Sequence, residues 1–184
     1  MIRAGAIGLA ATLGLSLFAT LGLSLSATLG LSPGARAEPL IVEHQIPLGV
    51  ALEGARAAVD VCLAQNYRIA VTVVDRSGEV RATLRADGAN PHLLEGALRK
   101  AHTAALLRIS TVQMGDIIAK SPGAAALMQF DRMTSLGGGL PIRAGEEVVG
   151  GIGVAGVPVG GAGGAGDEGC ARIGLDRMTA LLPR

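Results

Sequence analysis

The sequence predicts a single α/β (α+β) sandwich, a five-stranded and mostly antiparallel sheet flanked by helices. Three observations point there. The β-branched run Ile69 to Asp75 leads into the turn triplet Arg76-Ser77-Gly78 and a second strand over Glu79 to Arg85, which is the pattern of a hairpin. A second strand pair stands far along the chain, Leu140 to Arg143 and Val148 to Gly156, around the turn Gly145-Glu146. Between and around these pairs lie stretches whose apolar residues repeat at helical spacing.

The elements follow in chain order. From Ala4 to Ala35 there is no charged residue, and the octads TLGLSLFA, TLGLSLSA and TLGLSPGA repeat. Arg3 precedes this run, Pro33-Gly34 breaks it, and Ala35-Arg36-Ala37 fits a small-x-small cleavage site. Residues 1–37 are therefore expected to be a signal peptide and 38–184 one domain, exported to the periplasm or beyond. A retained membrane anchor is the alternative, because the apolar run could span a bilayer. Leu48 to Gln65 is an amphipathic first helix, ended by Asn66. On the second strand Val80, Ala82 and Leu84 should face one way and Arg81, Thr83 and Arg85 the other. Arg85 to Pro91, RADGANP, is a loop, with Pro91 suited to open the next helix, His92 to Leu107. Ser110-Thr111 restarts a shorter helix through about Ala119, Ser121-Pro122-Gly123 breaks it, and Met128 to Gly139 is loop-rich. On the last strand Gly151, Gly153 and Ala155 share a face with almost no side chains. Either a helix packs tightly there or a flat ligand lies over the strip. After the glycine-rich run 158–166, Asp167 should cap a final helix through Leu182.

Composition narrows the function. The chain has 184 residues with 16 basic and 15 acidic side chains. Loss of residues 1–37 removes Arg3 and Arg36 and no acid, leaving 14 basic against 15 acidic. A near-neutral domain without clustered Lys and Arg is a poor partner for nucleic acid. Beyond residue 37 the only aromatics are Tyr67 and Phe130, too few for stacking platforms. The glycine-rich run has no Gly-Lys-Ser/Thr and is followed by Asp167-Glu168, which would repel a phosphate. Cys62 and Cys170 belong to no CxxC or CxxCH pattern, which argues against zinc knuckles and thioether-bound haem. As an even pair in an exported chain they read as a disulfide, with two buried thiols as the alternative. Neither GxSxG nor HExxH occurs, and no catalytic residue is assigned. Asp75, Asp87 and Glu168 could form an acid/base cluster only if folding brings them together.

The motifs VVDxxG, RxDGAxP and KAxTA between Tyr67 and Ala104, answered by LPI-G-VVGxIGVxG and DExCA, resemble the GlcG/HbpS-type haem-binding family over about Leu52 to Leu182. The likeness implies a profilin-like fold, self-assembly into a homo-oligomer, and a haem or other tetrapyrrole partner, haem b being the non-covalent form. It implies a role in haem uptake, storage or sensing. An oligomeric accessory or scaffold protein that binds a small organic acid is the alternative. One departure stands out: many members carry an arginine-proline-threonine turn where this chain reads Arg108-Ile109-Ser110-Thr111.

Candidate binding residues follow. At 100° per residue His92, Gly96, Arg99 and Thr103 fall on one stripe of the second helix. His92 is the first choice for an iron ligand and Arg99 for a propionate. The expected pocket is built by the RADGANP loop, with Arg85 and Asp87, the helix start, and the glycine face of the last strand. By resemblance Lys100 and Thr103 of KAxTA and Glu168 of the DE pair join it, Thr103 as an alternative oxygen ligand. Glu168 is equally a helix-start carboxylate, and His92 a helix-start residue. His44, in the tail before the first helix, could reach a neighbour's pocket. His102, at the variable position of KAxTA, is expected at an oligomer contact or an exposed site.

Overall fold

The structure, a computed structural model, describes residues 38–158 and 165–183. The expected leader over 1–37, its cleavage site and most of the glycine-rich run lie outside the described residues. The described elements are helix α1 (Leu48–Ala64), strands β1 (Ala70–Asp75) and β2 (Val80–Arg85), helices α2 (Leu93–Leu107) and α3 (Thr111–Lys120), strands β3 (Gly139–Ala144) and β4 (Glu147–Ala155), and helix α4 (Ala165–Thr179). The sheet runs β2-β1-β4-β3, every pair antiparallel. It has four strands among the described residues, not five. The long connection from α2 to β3 folds as α3 and a 3₁₀ segment over Pro122–Gln129 and adds no strand to the sheet.

Turn chemistry sets the boundaries. Asn66 (φ 64°) ends α1 in the left-handed region that Asn tolerates. The β1–β2 hairpin closes on Asp75, whose Oδ1 accepts from Ser77 N at 2.9 Å and Glu79 N at 3.0 Å, with Gly78 at φ 84°. The expected alternation on β2 fails at its start. Val73 pairs with Ala82 and Val74 with Val80, so Arg81 is an extra residue in a bulge and Val80 turns to the other face, 50% exposed. At Arg108-Ile109-Ser110-Thr111, where the resemblance leads one to expect a proline, Ser110 accepts from Gln113 N while the Gln113 side chain accepts from Ser110 N. This reciprocal capping starts α3 without the proline.

Alternation along β1 and β4 divides the core. Val71, Val73, Ile152 and Val154 join Ile142 and the apolar faces of α1 and α4. Ala70, Val74 and Ala155 face α2. α1 and α4 meet closely: a Cβ on Gly54 would lie 2.9 Å from the Gly174 carbonyl. The Cys62–Cys170 disulfide ties the same two helices, Cα atoms 6.1 Å apart and 108 residues apart in sequence. The last helix begins before Asp167 and ends at Thr179, earlier than its pattern suggests.

Candidate functional site

The glycine strip of β4 is filled by α2. A Cβ at Gly151 would land on the Ala101 carbonyl oxygen, and one at Gly153 on the Ala97 carbonyl oxygen. Tight helix packing therefore explains the strip and leaves no room for a flat ligand over it. The expected pocket loses one wall.

The RADGANP loop braces itself. Arg85 Nη1 donates to Ala89 O at 2.6 Å, and Arg68 Nη1 donates to Asp87 O at 2.9 Å. His92 is exposed just before α2, its amide donating to Asn90 Oδ1 at 3.3 Å. The expected stripe then divides. Arg99 pairs with Glu95 one turn back at 2.7 Å, both side chains about half exposed. Thr103 is fully buried, and its hydroxyl accepts from Thr134 N at 2.9 Å. The segment around Thr134 covers that end of the stripe, which a helical projection cannot reveal. Asp75 is the last residue of β1, whereas Asp87 follows the end of β2 that pairs with Ala70, so roughly 16 Å of strand separates them and the acid cluster does not form.

Lys100 is committed to the interior. Its Nζ donates to Asp167 Oδ2 at 2.7 Å and to Val154 O at 2.9 Å, and both side chains are under a tenth exposed. Asp167 Oδ1 accepts from Val157 N at 2.9 Å. The carboxylate expected to cap α4 thus joins β4, α2 and the chain leaving β4. Gly138 (φ 116°) has to be glycine here, since a Cβ would meet Asp167 Cβ at 2.6 Å.

The other histidines have partners of their own. His44 Nδ1 lies 2.7 Å from Glu147 Oε2, while Arg76 Nη1 holds Oε1 at 2.7 Å. The hydrogen bond from His44 comes first, with the charges of His44 and Arg76 behind it, in holding the Glu147 carboxyl below its ordinary range. A cavity of about 470 Å³ lies beside this cluster, lined by Pro47, Val149 and Leu182 among others. His102 is not at an open site. Its ring is half-buried over Gly78, its Nδ1 has no hydrogen bond among the described residues, and burial first, then Arg132, lowers its pKa against Asp131 and Glu79.

A larger groove, about 1200 Å³, lies between the end of α2, the edge strand β3 and α4. Leu140, Pro141 and Leu175 give it an apolar floor, and Arg108, Arg143 and Arg172 line it from three different segments. Arg143 is oriented by two carbonyls, Glu146 O at 3.2 Å and Arg108 O at 3.3 Å. Arg108 holds its turn at φ 60°. Glu168 lines the groove too, with Oε1 3.8 Å from Arg172 Nη2, while its Oε2 is buried without a partner among the described residues. Of the expected site residues only Glu168 lies here. The three arginines share no motif or spacing, so sequence reasoning passed over them; the Arg108-Ile109-Ser110-Thr111 departure was the one available signal. His92 stands at the opposite end of α2 from Arg108, about 24 Å away by helical rise, so one ligand does not reach both within one chain.

Comparison with known proteins fits this architecture. An uncharacterized 15.0 kDa protein from the dhaT-dhaS intergenic region of Citrobacter freundii is 33% identical over 115 residues, 60% of this chain and 80% of that one. The crystal structure of a Streptomyces reticuli HbpS double mutant is 36% identical with a TM-score of 0.70, covering 82% of this chain and 95% of its own. The PduOC:Heme complex shares the fold at 24% identity and a TM-score of 0.63, over 73% of this chain and 95% of that one. Residues 46–176 match the family model described as "Haem degrading protein HbpS-like", and the chain belongs to the HbpS-like family.

Proposed function

We propose that this protein binds haem or a related tetrapyrrole non-covalently, as an exported homo-oligomer serving haem uptake, storage or sensing. The observation that carries the reading is the HbpS-like match over residues 46–176, which takes in the whole sheet. The fold shared with a protein solved as a haem complex supports it. The chain's own surface fits such a ligand. Haem needs an apolar bed for its ring and cations for two carboxylates, and the groove of about 1200 Å³ has an apolar floor and three guanidiniums. Cys62 and Cys170 are joined to each other, which leaves haem b, held without thioether bonds, as the form proposed.

Bound haem would supply the iron chemistry; the chain's part is to hold and orient the ring. Among the proposed iron ligands, Thr103 is sealed beneath Thr134 and His44 is taken by Glu147, whereas the His92 ring is exposed at the start of α2. Titration of purified protein with haem should give a saturable shift of the Soret band. His92→Ala should move the position of that band if His92 ligates the iron, and leave it alone if the ring lies elsewhere. The three guanidiniums suit other carboxylates as well, and that is the observation behind the small-organic-acid reading. No Soret shift, together with calorimetric binding of a small dicarboxylate, would favour it. Light scattering that reports a monomer at micromolar concentration would remove the oligomer.

A further inference from the structure

The groove beside α4 has features that packing does not require. Arg108, Arg143 and Arg172 come from a helix-end turn, an edge strand and a helix, and all three are exposed. Against them the groove sets two acids, Glu168 and Asp176, so a positive charge is left over. The Glu168–Arg172 contact of 3.8 Å is too long for a hydrogen bond and leaves Arg172 able to donate to another partner. Glu168 Oε2, shut from water and without a donor among the described residues, is an acceptor that a ligand or its metal can satisfy. Apolar floor, surplus guanidinium and orphaned acceptor together describe a receptor for a broad apolar molecule that carries carboxylates.

We propose that the tetrapyrrole lies in this groove, its carboxylates on Arg108 and Arg143, and that the α2 start with His92 is outside the site. The assignment rests on the haem-binding reading above and moves the ligand to the other end of α2. His92 of the same subunit then has no part in holding it.

The test uses metal-free protoporphyrin IX, followed by its fluorescence, beside haem followed by the Soret band. The first probe has no iron, so it reports the ring and carboxylate contacts separately from any axial ligand. Arg108→Gln combined with Arg143→Gln should weaken both probes about tenfold, the sum of two exposed charge pairs. Val112→Trp, at an exposed position lining the groove, should weaken them by filling space without removing a charge. Arg177→Gln, an exposed arginine on α4 that pairs instead with Glu53, controls for net charge and should change nothing. His92→Ala should leave the affinity of both probes intact. Melting curves confirm that each variant is folded, and Val112→Trp stands as the independent arm if the arginine pair disturbs its turn. Wild-type protein that binds neither probe defeats the haem-binding reading itself. Binding of both probes that survives the arginine pair and Val112→Trp overturns the groove assignment while haem binding stands.

Discussion

Gly153→Ala tests the seat of α2 on the sheet. The added Cβ would meet the Ala97 carbonyl oxygen and the Ala101 amide nitrogen, with Lys100 Cβ at 3.0 Å. The two nearest contacts are main chain of a helix, which cannot swing aside as a side-chain tip can. Overpacking a tight core costs about 1–3 kcal/mol, and rigid neighbours put this case at the upper end. For a domain of this size each kcal/mol moves the melting temperature by roughly 3–4 °C, so a drop of about 10 °C is expected. Gly49→Ala is the matched control, because nothing lies within 4 Å of its Cβ and the position is helical. It should stabilise by at most about 0.5 kcal/mol through the lower backbone entropy of alanine, since Gly49 lies in the first turn, a rise of roughly 2 °C or less. Thermal unfolding by circular dichroism reads both. If Gly153→Ala melts within about 2 °C of wild type, the helix does not sit on the strip, and the flat-ligand reading of that face returns.

Other outcomes can be checked alongside it. Reduction should raise the intact mass by two hydrogens and destabilise the fold, by up to about 4–5 kcal/mol on the chain-entropy account for a 108-residue separation. Lys100→Met should cost about 3–5 kcal/mol because it strands the buried Asp167 carboxylate, and Asp167→Leu in the same chain should recover part of that loss in a denaturant titration. The His102 pKa is lower in the folded chain than in the unfolded one, so the unfolded state binds more protons just below pH 6.5. Stability should accordingly fall as pH drops from 7 towards the lowered value, and His102→Gln should flatten that limb of the pH–stability curve. Glu147 works with the same sign at lower pH: its stabilising contact is present above the ordinary carboxyl range and lost as acid protonates it, which the pH dependence of His44→Ala should reveal.

Much of the fold was legible because it rests on local rules. The Asp75–Gly78 hairpin, the Ser110 restart of a helix and the Cys62–Cys170 pair follow from turn residues, capping residues and cysteine count. The Arg81 bulge was not legible, since a bulge depends on which residue of the partner strand comes opposite. The site fared worse for the same reason. Lys100 looks like a free cation until Asp167, distant in sequence, comes to meet it, and Thr103 looks open on a helical projection until the chain near Thr134 crosses it. Arg108, Arg143 and Arg172 converge on one groove by topology alone, and Glu168 was visible only through its motif.

The carboxylate of Asp167 has a consequence for protein engineering. Through Oδ1 it holds Val157, and through Lys100 it holds the end of β4, so the chain that leaves the sheet after Val157 and the chain that enters α4 are fastened at one point. The core is complete on either side of that fastening. Lengthening a connection whose ends are already fixed costs only about 0.6 kcal/mol for each doubling. Chain added between Val157 and Asp167, as an epitope, a fluorescent reporter or a tether, is therefore flanked on both sides by that one fastening. An insert of modest length there should leave the fold and the opposite end of the molecule as they are.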